Sequence, residues 1–463
     1  MARVVIIGGG PGGYEAASAA AQLGAEVTVV DSDGIGGSGV RTDAVPSKTL
    51  IATAEVMTEV EEAGELGVRL DDGDDDPANS VRVDLSVVNK RVKALAAAQG
   101  EGIERRLASD KVRVIAGRGR LDGPETVVVD GAAGEERLDA DVVLIATGAR
   151  PRILKGSEPD GERILTWEQV YELEELPERL IVIGSGVTGA EFASAYDALG
   201  SDVVLVSSRD RVLPGEDADA AAVLEDVFKR RGLTVLSKSR AESVRRQGDG
   251  VVVTLTDGRQ VEGSHALLAV GSLPNTDGMN LVESGVSLTD AGFVQVDKVS
   301  RTTARGVYAA GDCTGVLMLA SVASMQGRIA MAHALGDAVT PLDQSTVSAN
   351  VFTAPEIATV GLSQAVVDAG GSTALVVKVP LSDNARAKMQ GVRDGFVKLF
   401  CLPNTGIIVG GVVVAPRASE LIHPISLAVG TRLTVDQVAQ SFTVYPSISG
   451  SVAEAARRLH LRH

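Results

Sequence analysis

The chain has almost no cysteine. Among its 463 residues only Cys313 and Cys401 carry thiols. Two cysteines so far apart give no disulfide framework and suit a reducing compartment. Aromatic residues are scarce, at 3%. No hydrophobic run approaches the roughly 20 residues of a membrane-spanning helix, so no membrane insertion is expected. No signal peptide is read at the start, because MARVVIIGGG enters a strand and a glycine turn at once. Positive charge is in deficit. The formal net charge of −17 argues against a nucleic-acid partner, which needs clustered Lys and Arg, and against docking on an anionic membrane. No metal site is predicted. These absences point to a soluble, cytoplasmic protein, long enough for about three domains.

What is present is glycine in two copies of one pattern. Residues 2–31 read ARVVIIGGGPGGYEAASAAAQLGAEVTVVD. A β-branched run from Val4 to Ile7 leads into Gly8-x-Gly10-x-x-Gly13. An Ala-rich helical segment comes next, and a second strand from Val27 to Val30 ends at Asp31. Gly8 permits the tight turn, Gly10 lets the backbone approach a pyrophosphate, and Gly13 lets the helix pack on the sheet. The helix N-terminus offers N–H groups and the positive end of its dipole. Asp31 stands where a carboxylate accepts hydrogen bonds from an adenosine ribose.

The second copy, residues 180–207, places Gly184, Gly186 and Gly189 in the same spacing. Gly8 to Asp31 is 23 positions, and Gly184 to Ser207 is also 23. The ribose position therefore holds Ser207, followed by Ser208 and Arg209. An acid there favours NAD, whereas small hydroxyls beside an arginine accept a 2′-phosphate. This copy reads as a site for NADPH, with NADH tolerated.

Between the two copies lies GIGGSGVRTDAVPSK, residues 34–48. With VVLIATGARP (142–151), ALLAVGSLPNT (266–276), GVYAAGDCTG (306–315) and VFTAPEIATVGL (351–362), it makes the chain resemble a class I pyridine nucleotide–disulfide oxidoreductase along nearly its whole length. Within that family it is most similar to the lipoamide-dehydrogenase-like NAD(P)H:quinone reductases that lack the redox cysteines. The resemblance implies an α/β fold with two Rossmann-like dinucleotide-binding domains, for FAD and NAD(P), and a C-terminal α+β dimerisation domain. The implied order is a first FAD part over 1–153, an NAD(P) domain over 154–281, an FAD return segment over 282–345 and an interface domain over 346–463. The acidic stretch DDGDDDPANS, residues 71–80, reads as a solvated loop interrupting a mostly helical region from 49 to 110.

The resemblance also implies roles for residues. Beyond the glycine turns, flavin contacts fall on Pro11, Gly37, Ser38, Lys48, Gly117, Ala146, Thr147, Gly148, Asp312 and the run Met318, Leu319 and Ala320. Gly271 closes the second nucleotide half. Lys48 and Glu191 pair beside the flavin in this family, where a fixed ammonium steadies the reduced ring and needs a carboxylate partner.

The family's reactive cysteine pair falls on Gly39 and Ala44 here. Its His and Glu, which serve as the thiol base, fall on Tyr445 and Gly450. Thiols and thiol base are absent together. Gly39 and Ala44 are expected to open space for a different acceptor, and Tyr445 to line a pocket, donate a proton or pack at a dimer contact. The implied activity, carried by a homodimer, is hydride transfer from NADPH or NADH to FAD, then two electrons directly to a quinone. A soluble transhydrogenase and a non-catalytic flavin-binding sensor remain as alternatives.

Overall fold

The computed structural model describes residues 1–69 and 81–460; the acidic stretch at 71–80 lies outside them. Two compact units emerge. One comprises Met1–Thr49, Asn89–Arg152 and Gly271–Asp343, and the other Leu50–Val88, Ile153–Val270 and Gln344–His463.

The first unit is organised by a sheet of seven strands. Val307–Ala309, Val142–Ile145, Arg3–Ile7, Glu26–Asp31 and Arg113–Leu121 run parallel in that spatial order. The sheet ends in an antiparallel meander through Thr126–Gly131 and Gly134–Asp139. The parallel strands are short and β-branched, and Val4, Ile6, Val29 and Leu144 are buried, as expected for a sheet covered on both faces. The helix Pro11–Gln22 packs by its alanine face, with Ala16, Ala17 and Ala20 buried. Gly12 meets the helix Ala320–Ala334 at close range: a Cβ at Gly327 would lie 2.2 Å from the Gly12 carbonyl oxygen.

The second unit holds a parallel five-stranded sheet in the order Thr234–Leu236, Asp202–Val206, Arg179–Ile183, His265–Leu268 and Ile164–Thr166. Its C-terminal part is an antiparallel sheet of five strands, Ser348–Val351, Glu356–Gly361, Ile408–Ala415, Phe396–Cys401 and Leu375–Pro380. The helices His423–Gly430 and Gly450–His460 contribute Ile425, Ala455 and Leu459 to the core on it. Two parallel sheets and one antiparallel layer match the α/β and α+β expectation.

The grouping of segments differs from the expected boundaries in three respects, the first being that the expected NAD(P) and interface domains fall in one unit. Residues 50–88 cluster with the second unit. Residues 271–281, expected with the NAD(P) domain, belong to the first unit. Ser272–Pro274 pairs with Ala149–Pro151, Met279 and Leu281 are buried in the first unit's core, and Leu121 N donates to the Met279 carbonyl at 3.0 Å. Apolar burial decides where this segment sits, and the glycine at 271 marks the return.

Candidate functional site

The two glycine turns have nearly the same geometry. Gly10 precedes the first helix with φ −74° and ψ −174°, and Gly186 precedes the helix Val187–Leu199 with φ −73° and ψ −172°. Gly8 has φ +111° and Gly184 has φ +112°. A Cβ at Gly8 would lie 2.2 Å from the Ala146 carbonyl oxygen, and one at Gly184 would lie 2.1 Å from that of Ala269. Left-handed backbone and a carbonyl in the way each demand glycine. At Gly13 and Gly189 a Cβ would meet the carbonyl oxygen of Gly8 or Gly184 at 1.8 Å. The middle glycines differ in kind. Gly186 would meet nothing within 4 Å, and Gly10 only the Gly37 Cα at 3.7 Å. Neither helix start carries a side-chain cap. Open space over uncapped N–H groups is what a pyrophosphate needs, so both turns fit a dinucleotide.

Of the other predicted residues of the first unit, Pro11, Gly37 and Ala146 lie against its turn. Pro11 opens the helix. Gly37, at φ +58°, would place a Cβ 2.6 Å from the Gly10 Cα, so two glycine backbones touch. Ser38 is exposed, and its carbonyl accepts from Thr42 N and Asp43 N. Ala146 N donates to the Ile7 carbonyl at 2.7 Å. Thr147 Oγ1 donates to the Asn275 carbonyl at 2.7 Å, and the Asn275 amide returns to the Thr147 carbonyl at 3.0 Å. Gly148 and Gly271 have positive φ, and the Gly271 carbonyl accepts from Arg152 N. Gly117 is confined by its strand partner, since a Cβ would lie 2.8 Å from the Asp130 carbonyl oxygen.

Asp312 comes after the buried strand Val307–Ala309. Burial, and then the Asp43 carboxylate, pushes its carboxyl up to about 6. Met318 is 44% exposed, Leu319 precedes the helix, and Ala320 begins it. Lys48 lies in the helix Ala44–Ala63 and is partly buried.

Asp31 makes backbone contacts that the sequence did not suggest. Its Oδ2 accepts from Gly9 N at 2.5 Å, and its Oδ1 from Asp33 N at 2.8 Å and Gly34 N at 2.6 Å. The carboxylate therefore knits the strand end to the turn. In the second copy Ser207 is fully buried. Its hydroxyl meets the Ser185 hydroxyl at 2.6 Å and accepts from Arg209 N at 3.1 Å. Ser208 and Arg209 are exposed, so this trio is split into an inward residue and two outward ones.

Glu191 is buried on the helix after the second turn, where its Oε1 accepts from Phe352 N at 2.9 Å. Tyr445 is 84% exposed, beside the exposed Phe442 and Val444. At Gly39 the expected free space is already narrowed. A Cβ there would lie 3.2 Å from Pro11 Cγ, because the short helix Gly37–Arg41 sits close on the turn.

The two thiols are inert by environment. Cys313 is fully buried, and its thiol donates to the Ala310 carbonyl at 3.3 Å. Burial pushes it up to about 11. Burial also raises the Cys401 thiol. Reaction requires an accessible thiolate. Iodoacetamide at neutral pH should add no mass to the native protein and should label both cysteines after denaturation; labelling of the native chain would contradict this burial.

The pyridine nucleotide-disulphide oxidoreductase model matches residues 2–327, and that family's dimerisation domain matches residues 347–456. The chain belongs to the pyridine nucleotide-disulphide oxidoreductase family. A Mycobacterium tuberculosis protein named NAD(P)H dehydrogenase (quinone) is 55% identical over 99% of this chain and 94% of its own length. The dihydrolipoyl dehydrogenase of Bacillus subtilis is 33% identical over 98% of this chain and 97% of its own. The crystal structure of LpdA from Mycobacterium tuberculosis superimposes with a TM-score of 0.94 at 54% identity, covering 99% of this chain and all of that one. RclA from Escherichia coli shares the fold at 22% identity, with a TM-score of 0.87. Membership implies FAD and a nicotinamide nucleotide. Gly39 and Ala44 stand at the two positions onto which the resemblance carries the family's thiol pair. No helix among the described residues is long and apolar enough to cross a membrane.

Sequence reasoning missed three features: the backbone bonds of Asp31, the Ser185–Ser207 contact, and a buried lysine, Lys398, bonded to Asp217. The second was visible as a paired change. Gly9 and Asp31 in one copy become Ser185 and Ser207 in the other.

Proposed function

We propose that the protein is an FAD-dependent NAD(P)H:quinone oxidoreductase that works as a homodimer without a disulfide relay. The observation that carries this reading is the pair of matched glycine turns in a chain whose only thiols are buried. The first turn, with Pro11, Asp31, Gly37, Ser38, Gly117, Ala146, Thr147, Gly148, Asp312 and the 318–320 run, would hold FAD. The second, with Gly271, would hold the nicotinamide nucleotide. When bound, FAD supplies the two-electron relay between nucleotide and acceptor. Lys48 is assigned the positive charge that balances the reduced ring, and Glu191 the counter-charge that keeps an ammonium protonated in a low-dielectric setting, as the family resemblance implies.

NADPH is the preferred donor in this reading, because Ser208 and Arg209 face solvent and no acid stands at Ser207 to repel a 2′-phosphate. The quinone acceptor is supported by the name of the 55% identical relative. Self-association is supported by the match to the dimerisation domain and by the exposed Phe442, Val444 and Tyr445 inside it. A tyrosine in that setting packs against a second copy, lines the pocket or donates a proton, and Tyr445→Phe isolates the last role, since only that one loses turnover.

Anaerobic NADPH should bleach the yellow holoenzyme, and a benzoquinone should restore the colour in a separate step. Steady-state kinetics with the two substrates should be ping-pong. A flavin that does not bleach ends the enzyme reading. Reoxidation by NAD but not by quinones selects a transhydrogenase instead.

A further inference from the structure

We propose that Ser185 is a specificity-positioning residue for the nicotinamide nucleotide, acting as one unit with Ser207, so that the choice of 2′-phosphate over 2′-hydroxyl is set by this pair and not by Ser207 alone. The inference deepens the proposed function and rests on the reading that the Gly184 turn takes NAD(P)H.

The chain supplies its own control. Positions 9 and 31 of the first turn are equivalent to 185 and 207 of the second. In the first, strand end and turn are joined by a carboxylate, with Gly9 N donating to Asp31 Oδ2 at 2.5 Å. In the second they are joined by two hydroxyls 2.6 Å apart, Ser185 Oγ and Ser207 Oγ. The two solutions crowd each other. A Cβ at Gly9 would lie 3.1 Å from Asp31 Oδ2, so the carboxylate would have to give way by a few tenths of an ångström. An acid at the strand end therefore favours glycine in the turn, and a serine in the turn favours a small residue at the strand end.

Ser185 also anchors the loop beyond Ser207. Its carbonyl accepts from Leu213 N at 2.8 Å, so one residue fixes that loop at two places. Ser207 Oγ is occupied by Ser185 and by Arg209 N at 3.1 Å. The Arg209 carbonyl accepts from Lys238 N at 2.7 Å, which brings a second cationic residue alongside. With Ser207 tied inward, Ser208 and Arg209 are the outward groups, and a guanidinium suits a phosphate monoester. Nucleotide choice then depends on the loop being held, which is the task of Ser185.

The test compares kcat/KM for NADPH and NADH in full-length holoenzyme, with a fixed benzoquinone, for wild type, Ser185→Gly, Ser207→Asp and the double variant. Ser185→Gly should lower the NADPH/NADH ratio by about three- to tenfold, the size of one lost positioning hydrogen bond, chiefly through KM for NADPH. Ser207→Asp alone should lose efficiency with both nucleotides, because the acid is crowded by Ser185. The double variant, which copies the Gly9–Asp31 arrangement, should regain NADH efficiency and prefer NADH. Non-additivity is the signature. Additive effects, with Ser207→Asp alone giving the same inverted preference as the double variant, would overturn the proposal. Should Ser207→Asp not accumulate, an unchanged ratio in Ser185→Gly overturns it equally. A wild-type flavin reduced by neither nucleotide would instead sink the proposed function, which is a different result.

Discussion

Gly8→Ala should yield a colourless protein that does not retain flavin, whereas Gly184→Ala should yield a yellow protein that NADPH bleaches at least about a hundredfold more slowly. Both substitutions add one methyl group, and at both positions it has nowhere to go. The backbone is left-handed at φ +111° and +112°, a region costly for any residue with a Cβ. The added carbon would also sit 2.2 Å or 2.1 Å from a carbonyl oxygen of the neighbouring strand end. Relief requires the turn to move off the sheet, which displaces the helix N-terminus that the phosphate site depends on. Because the first turn lies in one compact unit and the second in the other, the two variants should fail at different steps. Flavin absorbance of the purified proteins and stopped-flow bleaching check this. A Gly184→Ala protein reduced at the wild-type rate would remove the second turn from the nucleotide site.

The second large effect is on stability. Lys398 is 2% exposed, yet its Nζ lies against two carboxylates. Its Nζ donates to both Asp217 oxygens, at 2.9 and 2.7 Å, and reaches Asp219 Oδ2 at 2.8 Å. Asp219 is joined also by Lys378 at 3.1 Å. Burial raises the Asp219 carboxyl, but the hydrogen bonds from Lys398 and Lys378 outweigh it and hold it below its usual range. Asp217 is itself the cap of the helix Ala218–Arg231, accepting from Asp219 N and Ala220 N. A strand of the antiparallel sheet is thus bonded to the cap of the helix Ala218–Arg231.

Lys398→Met leaves the Asp217 carboxylate buried without its cation, which costs about 3–5 kcal/mol. Adding Asp217→Asn removes the stranded charge while keeping a capping oxygen, and should recover a large part of that loss. Urea midpoints followed by flavin release measure both. An unchanged midpoint for Lys398→Met would mean that the buried pair contributes nothing.

The legible parts of this molecule are those where residue identity alone satisfies a local demand. Glycine at 13 and 189 answers a clash with a carbonyl five residues earlier, and glycine at 8 and 184 a left-handed backbone, so spacing alone announces both turns. The strands around them are short β-branched runs whose burial follows from composition. Residues 271–281 were harder, because their place depends on which apolar surface Met279 and Leu281 cover. Lys398 gave no warning either. Its strand alternates Val397, Leu399 and Cys401 toward one core, and nothing in GFVKLF tells that the opposite face is covered too.

By itself the sequence determined that two glycine turns share one spacing, that Cys313 and Cys401 stand far apart, and that Ser207 holds the position equivalent to Asp31. Those are statements about which atoms exist. Only the tertiary structure decided which way polar groups face: Ser207 inward onto Ser185, Arg209 outward, Asp31 onto the backbone of its own turn, and Lys398 onto an aspartate 181 positions away. The physical reason is desolvation. A hydroxyl, carboxylate or ammonium takes the partner that folding leaves within reach once water is gone, and that partner is set by the packing of distant segments.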